Sequence, residues 1–306
     1  MITGAPTFPL VSRRRLHGLA FGAMHGARRG TGSDVSGSRS YVPGDDPDRI
    51  DWASSARLSA ALARDEFIVR EHFADEAPRA IAVLDRSAGM ALPTGGLPWL
   101  DKGAAAQLAT EIVAASVLAA RGLIGFLEFV AGRETVKWAQ PSSSAATVLE
   151  EHDLPHGAGV EPPADVAGAL DFLGLHRRAV PSASFVFVLS DFLTPPSVDA
   201  WEDALDRGWD VVPVVIQDPV WEQSFPQIDG IVVPLAPVAG RTRLVRLRRG
   251  ESASWRRAHE ERRARLLSDL DGLGIEPVLV SSADVDEVFE SFAAWSTERQ
   301  SAWSRA

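Results

Sequence analysis

Ala80-Ile81-Ala82-Val83-Leu84-Asp85 runs through five apolar residues and stops at a carboxylate. An unbroken apolar run of this length, without alternation, is the pattern of a strand buried on both faces of a parallel sheet, and a terminal Asp marks the end that opens onto polar surroundings. The arrangement recurs at Ser184-Phe185-Val186-Phe187-Val188-Leu189-Ser190-Asp191. Further strands are predicted at 123–130, at 134–139 as a hairpin partner, at 209–216 and at 275–280. Pro213 lacks a ladder donor and predicts an edge position or a local bulge. Helices are predicted at 102–121, opened by Asp101 and closed by Gly122, and at 165–178, 197–207, 254–270 and 285–295. Residues 217–240 are Pro-rich and read as a surface excursion with a short strand at 230–235, followed by an alternating strand at 243–247. Strands alternating with helices give an α/β fold over residues 78–296: a doubly wound, mostly parallel, Rossmann-like three-layer sheet. Residues 297–306 read as a fraying tail.

In such a sheet, loops beyond the carboxyl ends of the strands converge where the strand order reverses. Asp85 and Asp191 stand at two such ends, with Ser87 two residues past the first. Two carboxylates and a hydroxyl are hard oxygen donors suited to Mg²⁺.

Residues 1–77 read differently, as a smaller irregular or β segment. Residues 1–39 are rich in Gly and Arg, with Arg13, Arg14, Arg15, Arg28, Arg29 and Arg39 against one acid, Asp34. A short helix is predicted at 12–22 and a loop at 26–37, forming a basic arm folded over the acidic remainder of the chain. Next, around the Pro43-Gly44 turn, come Asp45, Asp46, Arg49, Asp51, Trp52 and Arg57. This composition predicts an Asp/Arg network that fixes the segment, with Ile50 and Trp52 buried. A helix or turn at 54–63 and a strand at 66–73 follow.

Composition removes several function classes. The 306 residues carry a net charge of −10, which argues against wholesale binding to nucleic acid or anionic membrane. Cysteine is absent, so disulfides, thiol catalysis and Cys-ligated zinc are excluded. No run is long and apolar enough to span a bilayer, and the N-terminal pattern predicts no signal peptide; a cytoplasmic location is expected. A Walker-type loop and a Gly-x-Ser-x-Gly elbow are both missing, which argues against ATP hydrolysis and elbow-type serine chemistry. Histidines are scattered, and the pair His152 and His156 falls in a Pro/Gly-rich stretch. Arg243, Arg246, Arg248 and Arg249, with Arg241 before them and Arg256, Arg257, Arg262 and Arg263 after, form a basic cluster that fits an anion or an acidic partner.

The run Pro43-Gly44-Asp45-Asp46, Arg49-Ile50-Asp51-Trp52 and Ala56-Arg57 resembles the signature of the bacterial DUF58 family. That resemblance implies a signature segment joined to a von Willebrand factor type A-like domain. Such domains carry a metal-ion-dependent adhesion site: Asp-x-Ser-x-Ser after the first strand, a Thr from a later loop and an Asp after the fourth strand. Asp85, Ser87 and Asp191 match it; Gly89 replaces the second Ser, and Ala164 falls at the Thr position. The implied site is therefore degenerate, with Mg²⁺ as its expected ion. The implied role is a non-enzymatic adaptor working with a MoxR-type AAA+ ATPase in complex assembly or metal insertion. Two other readings stay open on the residues: a metal-dependent hydrolase using Asp85 and Asp191, and an anion or nucleic-acid binder using the arginine clusters.

Overall fold

The computed structural model describes residues 4–13, 20–42, 48, 50–62, 64–91, 100–131, 136–144, 156–157, 163–228, 230, 232–235, 243–248 and 250–303, with the backbone alone at 20–37, 70–76, 156–157, 233–235, 243 and 303. Two compact units divide the chain: residues 14–78, and residues 1–13 together with 79–306.

The smaller unit is an antiparallel ribbon of β1 (Ala20–Ser40) and β2 (Ile68–Glu76), joined through helix α1 (Trp52–Leu62). The loop expected at 26–37 and the last residues of the helix expected at 12–22 are instead strand. Gly, Ser and Arg are poor strand formers by propensity, but the ladder uses backbone groups that every non-proline residue carries. Register shifts along the pair let the 21 residues of β1 follow the 9 of β2.

In the larger unit a seven-stranded sheet runs in the order β11-β8-β7-β3-β4-β5-β6. Its members are β3 (Arg79–Asp85), β4 (Leu123–Phe129), β5 (Val136–Ser142), β6 (His156–Gly157), β7 (Phe185–Ser190), β8 (Asp210–Ile216) and β11 (Val278–Val280). Pairing is parallel from β11 through β4 and antiparallel for β5 and β6. A separate antiparallel pair, β9 (Val232–Leu235) with β10 (Arg243–Arg246), accounts for the two short strands read from the sequence.

The two apolar runs ending in Asp occupy the centre, β3 beside β7. Alternation along β3 sends Ile81 and Val83 into a core with Leu170 and Leu173 of α3 (Val166–Leu175), Trp201 of α4 (Val198–Asp206) and Leu266 and Leu270 of α5 (Glu251–Gly272). The opposite face is covered by α2 (Lys102–Ala119) and α6 (Val285–Trp303), with Phe187 against Trp295 at 6.1 Å. Asp101 caps α2 by accepting from the Ala104 N–H at 2.9 Å, and Asp165 caps α3 through Gly168 at 2.8 Å, each worth about 1 kcal/mol.

Pro213 is in an interior strand, in unbroken register with Val188 of β7. The Asp210 N–H donates to the carbonyl of Ser184, just before β7, and Gln217 to Val280 of β11, so alternation turns the Pro213 nitrogen toward β11. That strand pairs only from Val214 onward, so no ladder bond is lost and no bulge is needed. Residues 4–13, grouped by sequence with the arm, pack on the α/β unit: Phe8 stacks on Phe292 at 4.9 Å and its N–H donates to Ser116 Oγ at 3.0 Å. The expected tail continues as helix to Trp303, because Arg299 is buried there against Asp210.

Residues 217–228, read as surface excursion, contain a small core of their own. Phe225 and Leu247 are buried against Trp221, Ile228 and Trp255. His259 lies edge-on to Phe225 at 5.6 Å, with its Nδ1 2.9 Å from the Ser224 carbonyl. Burial pushes its pKa below the ordinary histidine value, and Arg262 nearby acts in the same direction. The unfolded chain therefore takes up this proton first as pH falls, so stability present above pH ~6.5 is lost as pH drops toward the depressed folded value. A thermal melt from pH 7 to pH 5 should show a smaller decline for His259→Gln than for the wild type. Parallel declines would remove His259 as a contributor.

Candidate functional site

Beyond the carboxyl ends of β3 and β7 the chain turns sharply twice. Asp85 accepts the Ser87 N–H on Oδ1 at 2.7 Å and the Ser190 hydroxyl on Oδ2 at 2.6 Å. Ser190 Oγ in turn accepts from the Phe192 N–H at 3.2 Å, and Asp191 Oδ1 from Leu193 at 3.1 Å. Phe192 has φ of 48°, a left-handed conformation that costs a non-glycine residue about 1–3 kcal/mol. Its ring, 1% exposed and 6.0 Å from Trp201, holds the turn against that cost. The two aspartates read from sequence are thus carried by adjacent parallel strands to one end of the sheet, at the point where the strand order reverses. A Cβ built on Gly89 would stand 2.9 Å from Asp191 Oδ2 and 3.8 Å from Ser87 Oγ, so the loop after β3 folds back over Asp191.

Lys102 completes the cluster. Its side chain is 4% exposed, and Nζ donates to Asp191 Oδ2 at 2.8 Å and to Glu222 Oε1 at 2.5 Å. Glu222 accepts the Asp218 N–H on Oε2, Asp218 accepts the N–H groups of Leu100, Val220 and Trp221, and Arg262 donates to the Glu222 carbonyl. Gln217 Nε2 reaches the Asp191 carbonyl at 2.7 Å. Burial lowers the lysine's pKa, but Asp191 and Glu222 together outweigh it and hold the ammonium above its ordinary range. Asp85 and Glu222 are both pushed up, first by burial and in part by Asp191. Asp191 and Glu222 share one ammonium while Asp191 also acts on Asp85, an excess of negative charge under which buried carboxyls hold protons more tightly.

Sequence reasoning missed Lys102 and Glu222. A signal existed for the first, since the chain contains only two lysines, Lys102 and Lys137, among many arginines. A cation in the first turn of a helix also opposes the helix dipole, so Lys102 needs a nearby anion. Glu222 fell within the Pro-rich stretch and carried no comparable sign.

The family model described as "Protein of unknown function DUF58" matches residues 37–265, three quarters of the sequence. The chain belongs to the DUF58 family. Its relatives include the uncharacterised proteins Mb1516 of Mycobacterium bovis and Rv1480 and MT1527 of Mycobacterium tuberculosis, each 26% identical over 234 residues that cover 74% of this chain and 68% of theirs. Among solved structures, the crystal structure of conserved hypothetical protein BatB from Bacteroides thetaiotaomicron aligns with 75% of this chain and 100% of its own, at 17% identity and a TM-score of 0.39.

Of the DUF58 signature, Asp45, Asp46 and Arg49 lie outside the described residues, as do Arg241 and Arg249 of the basic cluster. Asp51 caps α1, accepting the Ser54 N–H at 3.1 Å and the Ser54 hydroxyl at 3.0 Å. Arg57 donates to the Ala53 carbonyl at 3.1 Å. Trp52, expected inside, is 63% exposed and meets Phe67 edge-on at 6.0 Å, because α1 brings no other aromatic to cover it. Arg246 and Arg248 are exposed on either side of buried Leu247, as alternation predicts; the backbone alone is described at Arg243. Farther along, Arg256 and Arg262 turn inward to the carbonyls of Phe225 and Glu222.

Mg²⁺, the ion implied by the DUF58 resemblance, can be tested against the donors. Asp85 spends both oxygens on Ser87 and Ser190, and Asp191 spends Oδ2 on Lys102 and Oδ1 on Leu193. Gly89 offers no hydroxyl. A resident ammonium beside Asp191 repels a divalent ion, and among the described residues the geometry lacks the free, near-octahedral oxygens that Mg²⁺ demands. The residues do not fit the ion. Ser190, the hydroxyl hydrogen-bonded to Asp85, is 3% exposed.

Proposed function

We propose that this DUF58 chain is a cytoplasmic, non-enzymatic adaptor that works with a MoxR-type AAA+ ATPase in complex assembly, its α/β unit serving as the recognition platform. One observation carries the reading. At the carboxyl end of the sheet Lys102, Asp191 and Glu222 are directed onto one another and Asp85 onto Ser87 and Ser190, while Ala88, Thr194, Pro195 and Ser197 of the same loops face solvent. A scaffold whose buried charged groups are bonded internally, holding exposed loops in fixed positions, suits protein recognition, in which little backbone rearrangement accompanies binding. Among the described residues no helix is long and apolar enough to cross a membrane.

The test is a binding assay between the purified chain and the MoxR-type ATPase from the same genome, with and without ATP. Binding should be saturable, and Ala88→Glu combined with Thr194→Arg should weaken it at least tenfold while leaving the melting midpoint unchanged. No binding in either nucleotide state, or binding indifferent to both substitutions, would defeat the proposal.

A further inference from the structure

We propose that Lys102 is a tethered cation: its ammonium takes the place of a divalent ion between Asp191 and the loop that begins at Asp85, and this end of the sheet is assembled without metal. Two independent features of the chain meet at that point. Gly89 stands where a second hydroxyl donor would be expected, and the Cβ it lacks would lie 3.9 Å from Lys102 Nζ and 2.9 Å from Asp191 Oδ2. A side chain at 89 would press on the carboxylate oxygen that receives the ammonium; glycine leaves that oxygen accessible. Lys102, for its part, begins α2 at the end where the helix dipole favours anions. Its position is intelligible only through the two carboxylates it joins.

The substitution also changes which segments the site ties together. A divalent ion would bridge the loops after β3 and β7. Lys102 instead links the loop after β7, through Asp191, to residues 218–222, through Glu222, and anchors both to the first turn of α2. Three segments distant in sequence are fixed by one ammonium that cannot dissociate. The platform should therefore be indifferent to chelators and to divalent ions.

Wild-type protein dialysed against EDTA and titrated calorimetrically with Mn²⁺ should give no heat attributable to a single site. Its melting midpoint should be the same in EDTA and in millimolar Mg²⁺ or Mn²⁺. Lys102→Met should melt several degrees lower in EDTA and recover part of that loss as Mn²⁺ is added, as expected for an ion that binds only the folded state. Adding Asp191→Asn to Lys102→Met should abolish the recovery. Stoichiometric Mn²⁺ binding by the wild type that Asp191→Asn removes would overturn the proposal. So would a Lys102→Met protein as stable as the wild type and indifferent to Mn²⁺. If Lys102→Met yields no folded protein, the wild-type titration and the wild-type melts decide the matter alone.

Discussion

Arg299→Met should destabilise the α/β unit by about 3–5 kcal/mol, the usual cost of removing one partner from a buried ion pair. Arg299 and Asp210 are 2% and 3% exposed at their side chains, and one guanidinium nitrogen lies 3.0 Å from both carboxylate oxygens. The same nitrogen donates to the Val11 carbonyl, Nε pairs with Glu276 at 2.8 Å, and the guanidinium lies 4.3 Å over the Trp295 ring. Asp210 also accepts the Arg13 N–H at 2.9 Å. Methionine retains most of the stem's packing but leaves Asp210 buried with, among the described residues, only that backbone donor. Because 1 kcal/mol moves the midpoint of a unit this size by roughly 2–4 °C, the melt should shift by about 10 °C. Asp210→Asn in the same chain removes the stranded charge, so the double variant should be more stable than Arg299→Met alone, and a double-mutant cycle should return a coupling well above 1 kcal/mol. A single-variant loss below about 0.5 kcal/mol, within the range of ordinary surface changes, would show that the network does not hold residues 9–13 to the last helix.

That network was invisible in the sequence for a specific reason. Arg13 reads as part of a basic arm, Asp210 as the start of a strand and Arg299 as part of a frayed tail; only folding brings them together. The sheet, by contrast, was legible, because a strand buried on both faces must be apolar at every position, and 81–84 and 185–189 satisfy that without help from context. The two aspartates were legible for the same reason, since each is the first charge after such a run. Lys102 and Glu222 were not, because a buried charge is identified by its partner rather than by its neighbours in sequence. The arm failed in the other direction. Its composition suggested loop, whereas the backbone ladder to β2 does not depend on side-chain hydrophobicity. Trp52 shows the limit of inferring burial from residue type: an aromatic beside one helix turn and one ring cannot be covered by its own short segment.

Gly125→Ala should destabilise the protein by roughly 1–3 kcal/mol, although glycine inside a strand ordinarily costs about 0.5–1 kcal/mol relative to alanine. The sign reverses because of what faces it. Between Ile124, paired with Ser142, and Phe126, paired with Ala139, β5 spends one residue more than β4, and the bulge lies opposite Gly125. A Cβ there would meet the Ala139 carbonyl oxygen at 2.7 Å, the Pro141 nitrogen at 2.8 Å and Pro141 Cδ at 3.0 Å. Two of the three are backbone atoms, so no side-chain rotation relieves the overlap and the two strands must separate. The bulge is also what admits Pro141, which supplies no ladder donor, so the glycine and the proline depend on the same local geometry. Pro141→Ala added to Gly125→Ala removes only the Cδ among these three contacts and should recover less than half of the loss. Gly272, at the end of α5, provides the opposite case: nothing lies within 4 Å of its missing Cβ, and Gly272→Ala should leave stability unchanged or raise it by up to about 1 kcal/mol. Chemical denaturation of the two single variants side by side decides it. Changes of the same sign would mean that the close approach of β4 to β5 carries no strain and that composition alone governs both sites.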